Sequence, residues 1–167
     1  MKKKGCDIVL VCTNYFVLRA FLMPMANFLN EDHSINVIAN ITDDEKAQLI
    51  EEFELNIKFF ILNIQRKPNI FLDLICLFHL VKFFIKIKPR IVLSIMHKSG
   101  LLSMLASFVC NIPNRIHFFT GQHWSTKKGF SRFFYKIIDK IIIFLSTNIL
   151  VDGNGQKKFL VSEKIAY

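Results

Sequence analysis

The chain has 167 residues, 52% of them apolar and 21% charged, and a formal net charge of +9. That is one domain's worth of chain with enough apolar side chains to fill a core, which excludes a disordered or low-complexity protein. The positive balance points to an acidic partner, and charge alone allows nucleic acid, an anionic membrane surface or a phosphate-bearing substrate.

Asp7–Cys12 reads as a first, fully buried strand, and Thr13-Asn14-Tyr15 as its exit loop. From Phe16 to Asn30, Leu18, Phe21, Leu22, Met25, Ala26 and Leu29 recur at helical spacing, and Pro24 inside this run predicts a kink. Ser34–Ile41 is a second strand. Asp43 to Glu54 is an acidic helix that Thr42 can cap, with Glu45 three residues on. Ile57–Leu62 is a third strand, followed by the loop Arg66-Lys67-Pro68-Asn69.

Asn69 to Lys88 is the most apolar helix. Ile70, Phe71, Leu74, Leu77, Phe78, Val81, Phe84 and Ile85 share one wide face, and the other side mixes Leu72, Ile75, Leu80 and Phe83 with His79, Lys82 and Lys86. The plain reading is a long helix packed against the sheet with some Phe left exposed; the alternative lays a greasy, lysine-bearing helix on a membrane.

Arg90–Ile95 is a β-branched run after Pro89, read as a fourth strand, and His97-Lys98-Ser99-Gly100 as a turn. Leu101 to Val109 is helical with small residues Ser103, Ala106 and Ser107, and Asn111 and Pro113 stop it. Arg115–Phe119 is a fifth strand that ends in the polar loop Thr120-Gly121-Gln122-His123-Trp124. Lys127 to Ser146 is a long helix. Phe130, Phe133, Phe134, Ile137, Ile138, Ile141 and Leu145 form its apolar face, and Lys128, Arg132, Lys136 and Lys140 form a basic row that is either solvated or set against lipid headgroups. Ile149–Val151 is a sixth strand, and Gln156–Ile165 starts another helix.

Strands alternating with helices through short connections predict an α/β fold: a Rossmann-like parallel β-sheet with helices on both faces. Ligands of such sheets bind at the carboxyl ends of the strands. No run of about 18 apolar residues is present, so no transmembrane helix is expected. Lys2-Lys3-Lys4 before Ile8–Val11 faintly resembles a signal peptide, but the apolar run stops at Thr13-Asn14 without a small-residue cleavage site. Cys6, Cys12, Cys76 and Cys110 sit in or beside apolar runs without a CxxC pair, as reduced core thiols of a cytosolic protein do. No metal-ligand spacing appears. The basic residues are dispersed and carry no helix-turn-helix, RNP or KH signature, so nucleic acid is not an expected partner.

The KSGLL turn, the small-residue helix after it, RIH at 115–117 and FTGQHW at 119–124 together resemble the N-terminal half of family 4 glycosyltransferases, in particular bacterial members that build cell-surface polysaccharides. Val17 to Ala26 is similar to the family's "FLRAFLLPLA" segment, and Thr147 through Ile165 to its last strand and helix, so the resemblance spans nearly the whole chain.

The resemblance implies that residues 1–167 are one half of a GT-B fold, the acceptor-side domain. The donor-binding C-terminal domain, with its acidic E-x7-E motif and Gly-rich phosphate loop, is absent from the sequence. No cofactor is then expected in this chain; a nucleotide-sugar donor, by resemblance a UDP-sugar, belongs to the missing half. The implied partners are a C-terminal donor-binding domain or subunit, a lipid-linked sugar acceptor and an anionic membrane surface. The implied place is cytoplasmic, peripheral at the inner face of the cell membrane. By itself the chain is expected to be inactive. The alternative is a non-catalytic membrane-recruiting subunit of a split glycosyltransferase.

Glycosyl transfer needs an acceptor hydroxyl held near the anomeric carbon and groups that stabilise the departing diphosphate. Loops at strand ends supply candidates for acceptor binding: Thr13, Asn14 and Arg19 from the first, Arg66 from the third, Lys98, Ser99 and Gly100 from the fourth, and Gly121 and Gln122 from the fifth. Thr120, His123 and His117 are the candidate catalytic residues. Plain alternatives stand beside them: Gly100 and Gly121 as turn glycines, Lys98 as a solvated lysine, His117 as a core residue. Many family members place a histidine directly before the loop glycine, where this chain has Thr120, which cannot act as a base at neutral pH without help. His97 stands where the family commonly has proline and is not carried over as a site residue.

Overall fold

The structure is a computed structural model that describes residues 7–53, 57–65 and 67–166. Six parallel strands form one sheet: β1 (Ile8–Cys12), β2 (Ile35–Ala39), β3 (Lys58–Ile61), β4 (Ile91–Ile95), β5 (Asn114–Phe119) and β6 (Asn148–Val151), in the order β3-β2-β1-β4-β5-β6. The parallel Rossmann-like sheet expected from the sequence is what forms. β1 lies at the centre, and its five residues, IVLVC, are all buried. A strand covered on both faces needs an unbroken apolar run, because either side of the pleat meets a helix.

Alternation along β1 divides the core. Ile8, Leu10 and Cys12 pack with α1 (Tyr15–Val17), a π-helical stretch Leu18–Leu22, α2 (Met23–Leu29) and α3 (Asp43–Phe53). Val9 and Val11 pack on the other face with α4 (Ile70–Ile87), α5 (His97–Val109), α6 (Gly129–Leu145) and α7 (Asn154–Ser162). The irregularity expected from Pro24 takes the form of the π-helical stretch before it. Pro24 itself sits in the first turn of α2, where a missing N–H is tolerated. The predicted cap of the acidic helix is a reciprocal box: Thr42 Oγ1 accepts from Glu45 N at 3.2 Å, and Glu45 Oε2 accepts from Thr42 N at 2.8 Å.

Two expectations are corrected. His97 to Gly100 is not a turn but the first turn of α5, entered directly from β4 through Met96. On α4, the buried stripe is Cys76, Leu80 and Phe84, whereas Ile70, Phe71, Leu74, Phe78 and Ile85 of the predicted inner face are exposed. A helix apolar nearly all round gives no unique phase, and the narrow stripe that fits against α5 and the sheet decides which side turns inward.

α5 is the thinnest helix of its layer. Its buried residues include Ser99, Gly100, Ser103, Ala106 and Ser107, and it lies between α4 and α6. The serine hydroxyls donate back to carbonyls three or four residues earlier: Ser99 to Ile95 O at the end of β4, Ser103 to Ser99 O, and Ser107 to Met104 O at 3.0 Å. Gly100 is held to its identity by β5, since a Cβ there would lie 2.4 Å from His117 Cε1. Gly100→Ala is therefore expected to destabilise the fold by about 1–3 kcal/mol through overpacking, read as a lowered urea midpoint. An unchanged midpoint would show that the His117 ring can give way.

Candidate functional site

All six strands point their carboxyl ends to one edge. Chain order reverses between β1 and β4, so the connections after Cys12 and Ile95 diverge there, at the switch point where α/β sheets bind ligands. Thr13 Oγ1 donates to Met96 Sδ across that point at 3.2 Å. Met96 has φ 74 and ψ 151, a backbone conformation that side-chain-bearing residues seldom adopt. Such strain persists only where the surroundings over-determine it, and here it turns the chain straight from β4 into α5 with His97 as the first helical residue.

His97 meets a buried acid. Its Nε2 lies 3.1 Å from Asp139 Oδ1 on α6, and Asp139 is fully buried. The other carboxylate oxygen, Oδ2, accepts a 2.6 Å hydrogen bond from Trp124 Nε1. Trp124 is itself fully buried and stacked on Phe159, with Arg132 and Lys136 5.0 and 5.6 Å from its ring centroid. Those two cations also hold Glu163, at 2.6 and 2.9 Å, and their bonds, from Lys136 and then Arg132, keep its carboxyl below the usual range. Half of the predicted basic row on α6 is thus folded inward over Trp124; Lys128 and Lys140 stay exposed.

His123 sits edge-on to Tyr135 at 4.7 Å between centroids, and both rings flank His97. Burial, then the neighbouring Lys127, lowers the His123 pKa, so the ring is neutral at neutral pH and open to accept a proton. Gln122 is buried; its Oε1 accepts from Gln156 Nε2 on α7, and its own Nε2 has no partner. Among the described residues, buried polar atoms without an aligned hydrogen bond include Gln122 Nε2, His97 Nε2 and Asp139 Oδ1, all in this region. The His97–Asp139 contact is close but off line, so the pair stands as an electrostatic contact with unused hydrogen-bonding capacity.

The comparisons agree with this architecture. A UDP-N-acetylglucosamine 2-epimerase structure superposes on 98% of this chain and 44% of its own, with a TM-score of 0.72 at 19% identity. MurG of Acinetobacter baumannii superposes on 90% of this chain and 43% of its own, with a TM-score of 0.61 at 13% identity. The fold is that of one GT-B half. The capsular polysaccharide biosynthesis glycosyltransferase CapM of Staphylococcus aureus is 31% identical over 106 residues, which are 64% of this chain and 28% of CapM. The resemblance to a cell-surface polysaccharide glycosyltransferase is therefore carried by the sequence of those 106 residues, and the solved structures add the fold alone. The chain spans under a third of that relative and under half of the matched structures. No protein-family model matches the chain.

Within this GT-B half, the sequence-derived candidates separate. Thr13 lies at the switch point, and Thr120, Gly121, Gln122 and His123 form the β5 exit, where Gly121 has the φ of 108 that favours glycine. Asn14 caps α1, accepting from Val17 N at 3.1 Å. Lys98 turns to α4 instead, 2.7 Å from Asp73 Oδ1 and bonded to the Lys67 carbonyl. Ser99 is buried and bonded to Ile95 O, and Gly100 serves the contact with His117. Arg19 lies over α3 in a bidentate pair with Glu52, at 2.6 and 2.8 Å, beside an open cleft lined also by Tyr15, Gln48 and Glu51. Arg66 falls outside the described residues. His117 is shut in the core, its Nδ1 2.8 Å from Ser94 Oγ, and burial, with His97 adding to it, pushes its pKa down to about 3.

Asp139, Tyr135 and Gln156 escaped the sequence reading, and His97 was set aside. One signal was available for Asp139. It is the lone acid in the basic and apolar run Lys127 to Ser146, and it lies three residues before Ile142, which is also buried. An acid on the buried side of a helix requires a partner.

Proposed function

We propose that this chain is the acceptor-side half of a glycosyltransferase of cell-surface polysaccharide assembly. Its enzyme would move a sugar from a nucleotide-sugar to a lipid-linked or saccharide acceptor. The match to CapM on a GT-B half carries the reading. The donor, by resemblance a UDP-sugar, would be held by a second half-domain, in the same chain or in a partner subunit, across the crevice at the carboxyl edge.

In this reading the acceptor hydroxyl lies among Thr13, Thr120 and Gln122. His123, kept neutral by burial and by Lys127, can accept its proton as the new bond to the anomeric carbon forms and the bond to the diphosphate breaks. His97, braced by Asp139, would fix the rings of the cluster. The unpartnered Gln122 Nε2 would donate to a sugar or diphosphate oxygen.

The test is a titration with a short polyprenyl-diphosphate-linked sugar in detergent, followed through the emission of Trp124, the single tryptophan. Saturable binding that Gln122→Ala weakens at least tenfold, with unchanged circular dichroism, is the expected result; that loss corresponds to about 1.4 kcal/mol. Absence of binding, or equal binding by the variant, would remove the acceptor-site reading.

A further inference from the structure

The charges of this chain are sorted onto opposite sides of the sheet. Residues 7–53 carry eight Asp and Glu against two Lys and Arg, a net charge of −6. Residues 67–166 carry fifteen Lys and Arg against four Asp and Glu, a net charge of +11. The first group supplies α1, α2 and α3, which cover one face of the sheet, and the second supplies α4 to α7, which cover the other. Local pairing leaves the division intact. Arg19 pairs with Glu52 inside the acidic layer, while Lys98 with Asp73, and Arg132 and Lys136 with Glu163, pair inside the basic one. Among the described residues no ion pair joins one layer to the other.

The remaining charge on each side faces solvent. On α3, Asp44 and Glu51 are exposed and stand seven residues apart, on one side of the helix; Glu31 and Asp32 are exposed just after α2. Across the sheet, Lys82 and Lys86 on α4 and Lys128 and Lys140 on α6 are exposed. Each layer also turns phenylalanines outward. Phe16 and Phe28 of the acidic layer are 73% and 76% exposed, and Phe71 and Phe130 of the basic layer are 73% and 81% exposed. An apolar ring gains from cover by any partner, so the sign of the surrounding charge decides which partner is accepted.

We infer that copies of this chain associate head to tail, the acidic α1–α3 layer of one copy against the basic α4–α6 layer of the next. A partner of a single charge sign suits one layer and is repelled by the other, whereas a second copy supplies the complement of both. A two-fold contact would set a layer against itself, with like charges facing, and is disfavoured. Because the two halves of a head-to-tail contact are different surfaces, each added copy leaves one of each kind open. Association therefore continues past two copies, into a ring or an open chain. The inference stands on the sorting of surface charge and not on the transferase reading, and its test uses no sugar.

The experiment is sedimentation velocity of the chain over a range of concentrations, in about 0.1 M and about 1 M sodium chloride, which shortens the screening length from about 10 Å to about 3 Å. Two variants accompany it, Asp44→Lys/Glu51→Lys on the acidic layer and Lys82→Glu/Lys86→Glu on the basic layer. The expected result is reversible association that passes beyond a dimer at the lower salt and is at least tenfold weaker at the higher. Either variant alone should weaken it at least tenfold. An equimolar mixture of the two should recover a complex, because each variant keeps the layer that the other has lost. A monomer at every concentration would overturn the inference, as would association that salt leaves unchanged. Loss of association in only one variant, with growth stopping at a dimer, would assign a two-fold contact and overturn it too. Should a variant lose its circular dichroism, Asp44→Asn/Glu51→Gln or Lys82→Gln/Lys86→Gln takes its place, removing the charge without reversing it.

Discussion

Asp139→Ala is expected to lower stability by about 2–4 kcal/mol: it strands the buried Trp124 N–H, at about 1–3 kcal/mol, and leaves a void in the core. Asp139→Asn keeps an oxygen for Trp124 and nearly the same shape, so its loss should be less than half as large. The gap between the two variants reads the Trp124 bond apart from the charge near His97. Urea denaturation followed by far-ultraviolet circular dichroism supplies the numbers. Equal midpoints for wild type and Asp139→Ala would mean that the carboxylate does not hold the edge together.

The second large effect is acid sensitivity set by His117. Its folded pKa of about 3 lies well below the value near 6.5 of an exposed histidine, so between those limits the unfolded chain binds a proton that the folded chain refuses. Stability from this group is complete above pH 6.5 and falls as pH drops toward 3, by about 1.4 kcal/mol per unit. His123, whose pKa is also lowered, adds to the slope in the same direction. Urea midpoints measured from pH 7.5 to pH 4.5 should decline in wild type, and the decline should be shallower by that amount in His117→Gln. Parallel profiles for the two proteins would place the acid sensitivity elsewhere.

The sheet was legible because strand burial leaves a local mark. IVLVC at β1 and IVLSI at β4 are unbroken enough to need cover on both faces, and the short links between strands and helices allow only parallel neighbours. Helix phase was less legible. α4 and α6 are apolar on more than one side, so periodicity could not choose between Leu80 and Phe78 as the inward residue. At the candidate site, single polar residues on loops pointed to the carboxyl edge of the sheet, and Thr13, Gln122 and His123 lie at that edge. Partnership was hidden. Lys98 is drawn to Asp73 and Arg19 to Glu52, pairs separated by 25 and 33 positions, and the pairing of His97 with Asp139 depends on how α5 and α6 lie side by side. Sequence spacing carries no such distance, so a charged residue looks available until the fold supplies its neighbour.

The thin helix α5 has a consequence for how the protein breathes. Its serine hydroxyls return to backbone carbonyls of α5 itself and of the end of β4, its flanks are closed by α4 and α6, and Gly100 leaves no gap beneath His117. No outward fraying of α4 or α6 alone can free the middle of α5 from the sheet. Amide protons of Leu102 to Ala106 should therefore exchange with deuterium only when the whole domain opens, while the exposed ends of the two outer helices exchange earlier. His97 begins the helix that contains this slowest segment, so the edge where the acceptor is proposed to sit is anchored to the most persistent part of the molecule.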